Sequence, residues 1–292
     1  MDREKFRLWC RENASRPGID WCGQFLDVEG ELLHYVEAGS GEPLVLLHGF
    51  MEWSFTWRSV MRPLAGHSRV LALDLRGFGL SGRDRRLGHS LTDQVEVVRR
   101  FLDSLGVQQA VFCGHSMGGE IALRFALQYP ERVRGLVLVA ASGYLRPRQR
   151  PLRRWLLRLP GISQAVVRAV VLNRRFADRA LREVHADPDR VTAADVDAYL
   201  LPARAPGTAG TLVRILRDAD FGHWSDRLAE VAHPSLLIWG DSDPVVSLEQ
   251  GRRLAAALPK SRLEVFSRCG HLPHVEEPVQ FVGEVVEFLR GL

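Results

Sequence analysis

Ser116 stands in the run Val111-Phe112-Cys113-Gly114-His115-Ser116-Met117-Gly118-Gly119, a short apolar strand pattern that leads through G-x-S-x-G into a helical pattern from Ile121 to Gln128. A serine between a strand and a helix occupies a tight, strained turn that projects its Oγ from the sheet edge. Flanking glycines are needed because side chains at those positions would collide. The helix behind the serine brings backbone N–H groups and a partial positive charge to the reacting oxygen. The chemistry this arrangement serves is nucleophilic attack by an alcohol.

A serine hydroxyl becomes a good nucleophile only when a base takes its proton, and that base is normally a histidine oriented by a carboxylate. Behind an elbow of this kind the chain order is Ser, acid, His. Beyond the strand-like run Leu236 to Trp239 the histidines are His271 and His274. His271 follows the run ending at Phe266 and precedes the closing helix, so it is the expected base. His274 lies at the approach to that helix, where packing or capping accounts for it. The loop Gly240-Asp241-Ser242-Asp243-Pro244 offers two acids directly after a strand. From their position alone, either Asp241 or Asp243 reaches the site, and both residue types also stabilise turns through their own backbone.

An oxyanion hole must complete the constellation. Leu46-Leu47-His48-Gly49-Phe50 follows another strand, and its loop can aim the Phe50 N–H at the point addressed by the Met117 N–H. Loss of one such donor typically costs ~3 kcal/mol of barrier. His48 then holds the loop and is not a base.

These residues need a scaffold of alternating strands and helices. Gln24 to Val28 and Leu32 to Glu37 flank Glu29-Gly30 as a hairpin. Pro43 to Leu47, Arg69 to Leu73, Ala110 to Cys113, Val133 to Val139, Leu236 to Trp239 and Leu263 to Phe266 are short apolar runs, as buried parallel strands require. The clearest helix is Leu91 to Leu105, with Leu91, Val95, Val98, Leu102 and Leu105 along one face. The pattern predicts an α/β fold, a doubly wound, mostly parallel sheet. Between residues 143 and 222 strand-like runs give way to helical patterns, which predicts an inserted helical cap within a core of residues 23–142 and 223–292. Residues 1–22, with Phe6, Trp9 and Cys10 at helical spacing, read as an N-terminal helical extension.

The 292 residues carry a net charge of +4 with 46% hydrophobic and 25% charged residues, an ordinary globular balance that excludes disorder, collagen and coiled coil. Of 39 basic residues only Lys5 and Lys260 are lysine. So one-sided a choice reflects codon bias, and the basic balance is discounted as a sign of nucleic-acid binding. Cys10, Cys22, Cys113 and Cys269 lack metal or scaffold spacing, so reduced thiols are expected. The longest apolar stretches fall far short of the ~20 residues of a membrane span, and the mixed charges of the first six residues do not resemble a secretory signal. A cytoplasmic enzyme without a metal or organic cofactor is the expectation.

His48-Gly49-Phe50, Asp74-Leu75-Arg76-Gly77-Phe78-Gly79-Leu80-Ser81, Gly114-His115-Ser116-Met117-Gly118-Gly119, Trp239-Gly240-Asp241-Ser242-Asp243-Pro244 and Gly270-His271 together resemble the α/β-hydrolase superfamily, in its capped, serine esterase or lipase-like branch. The resemblance covers nearly the whole chain. It implies that the acid is Asp243, the third residue after the glycine of the W-G-x-x-D motif, and that Asp74 to Ser81 is a structural turn. Epoxide hydrolases and haloalkane dehalogenases share the segment from His48 to Arg58 but attack with aspartate, where this chain has Ser116. Carbon–carbon bond hydrolases of ring-cleavage products share the serine and the elbow, but usually place tryptophan after the catalytic histidine, where this chain has Leu272. Proline iminopeptidases usually have an acidic cap and a tryptophan after the nucleophile. Cofactor-free haloperoxidases usually lack so large a cap.

The resemblance therefore implies hydrolysis of a carboxylic ester, or a thioester, with a mainly apolar acyl group, through an acyl-enzyme. Trp53, Phe55 and Trp57, just beyond the oxyanion loop, are candidates for the wall of the acyl pocket, with core packing as the competing role. Between Leu145 and His185 stand eleven arginines against Asp178 and Glu183, interleaved with Trp155 and aliphatic residues. This stretch reads as a cap helix burying its stripe over the pocket. The other reading is peripheral contact with an anionic membrane, as in a monoacylglycerol-lipase-like enzyme. A ligand receptor on a hydrolase scaffold is the alternative from outside enzymology.

Overall fold

The computed structural model describes residues 23–84, 86–142, 173–218 and 223–292, together with positions 165, 167 and 169. Eight strands form one sheet: β1 (Gln24–Val28), β2 (Glu31–Ala38), β3 (Pro43–Leu47), β4 (Arg69–Leu73), β5 (Ala110–His115), β6 (Val133–Val139), β7 (Ser235–Gly240) and β8 (Ser261–Phe266). Their order is β1-β2-β4-β3-β5-β6-β7-β8. β1 and β2 pair antiparallel, as do β2 and β4, and every later pairing is parallel.

Nine helices accompany the sheet among the described residues: α1 (Met61–Ala65), α2 (Leu91–Ser104), α3 (Met117–Gln128), α4 (Arg174–Glu183), α5 (Ala193–Leu200), α6 (Thr208–Asp218), α7 (Leu248–Ala257), α8 (Pro273–Glu276) and α9 (Pro278–Arg290). The two-residue period of a strand divides the core. Val45 and Leu47 of β3 face a cluster that holds Val98 and Phe101 of α2, Ile121 and Phe125 of α3 and Leu254 of α7. Leu44 and Leu46 face the opposite cluster, with Trp57, Leu64 of α1, and Phe281 and Val285 of α9. A sheet covered on both faces explains why its central strands read as continuous apolar runs. Burial of each large apolar side chain contributes ~1.5–3 kcal/mol.

Local signals agree with this packing. Ser90 caps α2: its Oγ accepts the Asp93 N–H at 3.1 Å while Asp93 Oδ2 accepts the Ser90 N–H at 2.8 Å, a capping box worth ~1 kcal/mol. Asp74, the residue after β4, is fully buried and accepts three hydrogen bonds, from Ser54 N at 2.6 Å, Leu80 N at 2.7 Å and His34 Nδ1 at 2.7 Å. Burial alone would raise its pKa, but the His34 imidazole and these bonds outweigh it and hold the carboxyl below its ordinary range. Asp74 thus fastens β2 and the chain after the oxyanion loop to the Asp74 to Ser81 turn, which is structural.

Between β6 and β7 the described residues contain helices and no strand. The proposed N-terminal extension 1–22 and most of the arginine-rich stretch from 145 to 172 lie outside the described residues, as do Cys10 and Cys22. Cys113 and Cys269 are buried free thiols. No described helix is long and apolar enough to cross a membrane.

Candidate active site

β5 delivers Ser116 to the C-terminal edge of the sheet, and α3 begins at the next residue. Ser116 adopts φ 50° and ψ −113°, a region that an L-residue occupies only when its surroundings impose it. Its N–H donates to Val139 O at 2.9 Å, and its carbonyl accepts the N–H groups of Gly119 and Ser142, each at 3.0 Å. The flanking glycines are required by close approach. A Cβ on Gly114 would lie 2.4 Å from Gly118 O, and one on Gly118 would lie 2.2 Å from Leu47 O. Met117 is the first residue of α3, so its N–H has no carbonyl one turn back and points out of the helix end.

The two acids of the β7 loop separate cleanly. Asp243 Oδ2 lies 2.7 Å from His271 Nδ1, with both side chains buried. Its other oxygen accepts Val245 N at 2.7 Å and Val246 N at 2.9 Å, which fixes the carboxylate plane. Asp241 is exposed and accepts from Ser242 Oγ and Arg268 N, each at 2.8 Å. A carboxylate at Nδ1 leaves the proton there and the Nε2 lone pair free to act as a base. The His271 backbone is held as well: its N–H donates to Val184 O at 2.8 Å, and its carbonyl accepts from His115 Nε2 at 2.9 Å. The neighbour of Ser116 therefore touches the histidine directly.

His48 is fully buried in the loop after β3, the one expected to form the oxyanion hole. Its Nε2 accepts the Leu75 N–H at 3.1 Å, and its Nδ1 lies 2.8 Å from Gly49 O, which assigns the proton to Nδ1. Burial lowers its pKa, so it is a neutral structural ring, as its sequence position suggests. Phe50 stands half exposed at the loop's tip, edge-on to Phe78.

His274 is also structural. It is completely buried, its Nε2 lies 2.9 Å from Thr56 Oγ1, and its ring packs 4.3 Å from Trp57. Burial, followed by the charge of His115, holds its pKa well below the ordinary value.

Of the two roles open to Trp53, Phe55 and Trp57, the structure shows core packing. Trp53 is fully buried, stacks on Phe55 with centroids 5.6 Å apart, and donates from Nε1 to Ala198 O of α5 at 3.2 Å. Phe55 packs with it against Leu80, Ala198 and Leu201. Trp57 sits on the other side, against Phe281 and His274. Their periodicity reflects a need to anchor helices, and two of them anchor α5. The cavity beside the oxyanion loop, about 30 Å³, is lined by Met51, Glu52, Phe78, Tyr199, Pro202 and Leu212, among others. A larger one of about 140 Å³ lies between α4, α5 and α8, beside the Arg58–Asp195 ion pair.

Sequence reasoning missed Glu52 and the role of His115. Glu52 Oε2 accepts the Gly49 N–H at 2.8 Å and lies 3.0 Å from His115 Nδ1. Burial would raise the Glu52 pKa, but the charge and hydrogen bond of His115 reverse this and hold it at about 2. For His115 burial lowers the pKa, and the Glu52 carboxylate outweighs it, so the net direction is upward. With His274 these two residues form a cluster whose ligand-type atoms lie within 4.8 Å of one another, the one group among the described residues with metal-like composition. A visible signal existed in the charged residue of Gly49-Phe50-Met51-Glu52, since a carboxylate three residues into such a loop can cap its own backbone.

Comparison with known proteins agrees with this architecture. The family model for the alpha/beta hydrolase fold matches residues 42–278. The chain is 32% identical over 257 residues to the uncharacterized hydrolase YugF of Bacillus subtilis, covering 88% of this chain and 93% of that protein. It is 31% identical over 267 residues to the 2-hydroxy-6-oxo-2,4-heptadienoate hydrolase of Pseudomonas putida, covering 87% and 91%. Among solved structures, a membrane phospholipase A described as a bacterial virulence factor superimposes with a TM-score of 0.75 at 26% identity, covering 99% of this chain and 90% of that one. The chain belongs to the alpha/beta hydrolase fold family.

Proposed function

We propose that the protein is a serine hydrolase that cleaves carboxylic esters with a mainly apolar acyl group, and that the pairing of His271 with Asp243 at 2.7 Å behind the strained Ser116 turn is what carries this reading. Ser116 Oγ attacks the ester carbonyl while His271 Nε2 takes its proton. Asp243 keeps the imidazole in the tautomer that leaves Nε2 free and stabilises the imidazolium that forms. The N–H groups of Phe50 and Met117 receive the oxyanion. His271 returns the proton to the leaving alcohol, and a water molecule, activated by the same ring, then releases the acid from Ser116. Met51, Phe78 and Leu212 in the cavity beside the loop support an apolar acyl group, and the phospholipase named above supports ester chemistry. The partner is a small ester, the setting is the cytoplasm, and the arginine-rich stretch from 145 to 185 is the segment through which an anionic membrane would be met.

A second reading, carbon–carbon bond hydrolysis, is favoured by the heptadienoate hydrolase. Against it stands Leu272, where such enzymes usually carry tryptophan. Leu272 is buried against Leu181, Val191, Val196 and Leu200 and offers no ring or polar atom to a substrate. The test is turnover of p-nitrophenyl esters from two to sixteen carbons alongside a 2-hydroxy-6-oxo-dienoate. The ester reading expects hydrolysis of the esters, abolished in a folded Ser116→Ala variant. Turnover of the dienoate alone, or ester turnover that survives the substitution, overturns it.

A further inference from the structure

His115 occupies the variable position between Gly114 and Ser116, and its ring is almost wholly buried. Both ring nitrogens face acceptors. Nε2 lies 2.9 Å from the carbonyl oxygen of His271, which cannot donate, and Nδ1 lies 3.0 Å from Glu52 Oε2. That same carboxylate oxygen accepts the Gly49 N–H at 2.8 Å. With Glu52 ionised, as a pKa held at about 2 requires, a neutral imidazole carries one N–H and would leave one of these contacts without a proton. Only the imidazolium donates from both nitrogens.

We propose that His115 and Glu52 form a permanently charged strut, and that both are positioning residues joining the oxyanion loop, the nucleophile turn and the catalytic histidine. The strut runs from the Gly49 N–H through the Glu52 carboxylate and the His115 ring to the His271 carbonyl. Gly49 precedes Phe50, His115 precedes Ser116, and His271 is the base, so one chain of three hydrogen bonds spans three segments that are distant in sequence. Neither residue touches the reacting atoms in this scheme. A buried ion pair stabilises geometry only when further hydrogen bonds support it, and here the Gly49 N–H at one end and the His271 carbonyl at the other supply them. The other ionisable groups around the pair are His274, whose ring centroid is 4.9 Å from that of His115, and His271 at 4.7 Å. Asp243 acts on it through charge, the pair in turn acts on the neutral His48 and on Tyr199, which lines the same cavity as Glu52, and Arg58 acts on the adjoining His274.

The role rests on the serine-hydrolase reading, whereas the charge state of the ring does not, which lets the two fail separately. Long-range proton–nitrogen spectra of histidine-labelled protein between pH 5.5 and 7 should show both His115 nitrogens protonated throughout, and Glu52→Gln should convert the ring to a single tautomer. With p-nitrophenyl acetate, folded Glu52→Gln and His115→Asn should each lose at least tenfold in kcat with KM changed less than threefold, because the loop and the base are misplaced while the pocket remains. A lone protonated nitrogen on His115 in the wild type overturns the strut. So does stoichiometric metal held between Glu52, His115 and His274, or kcat within twofold of wild type in both variants. If the wild type cleaves no ester, the hydrolase reading fails, and the charged pair stands or falls on the spectra of the wild type alone.

Discussion

Nδ1 of His271 lies 2.7 Å from Oδ2 of Asp243, although 27 residues separate the two and each is delivered by a different strand. β7 and β8 run parallel and side by side, so their following loops emerge at the same sheet edge, the edge at which β5 releases Ser116. Asp243 and His271 meet because the parallel register of β7 and β8 brings the ends of the two strands together.

The consequence is an asymmetry between two neighbouring aspartates. Asp243→Asn should lower kcat by roughly 10³–10⁴-fold, since an amide facing Nδ1 favours the wrong tautomer, and should leave KM for short esters nearly unchanged. Asp241→Asn weakens an exposed turn that holds Arg268 N and should cost no more than a few-fold in kcat and less than ~1 kcal/mol in stability. Steady-state kinetics of the two variants in parallel is the measurement, and comparable losses would remove Asp243 from its role.

Gly118 sits where α3 passes against the end of β3. A methyl group there would lie 2.2 Å from Leu47 O and 2.7 Å from His48 O, which are backbone atoms that cannot rotate aside. Gly118→Ala should therefore cost ~1–3 kcal/mol in urea unfolding and should lower kcat as well, because the displaced backbone leads directly into the oxyanion loop. A variant as stable as wild type would mean that the helix and strand are not packed so tightly.

Much of this arrangement was legible in the residues. β3, β4 and β6 begin and end where their apolar runs do, because strands buried along most of their length leave few polar positions to blur their limits, whereas the edge strand β1 takes its limits from the Glu29-Gly30 turn. The strand-to-helix turn at Ser116 was also readable from its glycines, whereas position alone left Asp241 and Asp243 open and the resemblance singled out Asp243, which is the one that pairs with His271. What the sequence did not disclose was the direction of side chains in the segment after the oxyanion loop. Trp53, Phe55 and Trp57 alternate in a way that suits either a pocket wall or an anchor, and the decision depends on α5, 140 residues later, which supplies the Ala198 carbonyl for Trp53. Glu52 was hidden for the same reason: its partner His115 lies 63 residues away, and only the adjacency of β3 and β5 brings them together.

Two buried histidines make the fold sensitive to mild acid. Burial lowers the pKa of both His48 and His274, and protonating His48 would also destroy its Nε2 bond from Leu75 N. For a group whose folded pKa is depressed, the stabilisation is complete above the unfolded value, near 6.5, and is lost as pH falls toward the folded value. His115 has the opposite sign: its pKa is raised, so its contribution is complete below 6.5 and does not change in this window. Between pH 6.5 and 5 each of the two lowered histidines should remove up to ~1.5 kcal/mol of stability. Urea midpoints at the two pH values should fall less in His274→Leu than in wild type. Equal falls would show that His274 titrates normally in the native state.

The last prediction separates an anchor from a pocket wall. Trp53 is fully buried between Phe55 and α5 and spends its indole N–H on Ala198 O. Trp53→Ala should cost ~3–5 kcal/mol, the usual loss for removing a large buried aromatic side chain, and Trp53→Phe should cost less because most of the apolar volume is kept. Since the indole faces α5, the dependence of KM on acyl chain length should be the same in Trp53→Phe as in wild type. Urea unfolding and KM for esters from two to eight carbons test this together. A variant of normal stability whose KM rises with chain length would return Trp53 to the acyl pocket.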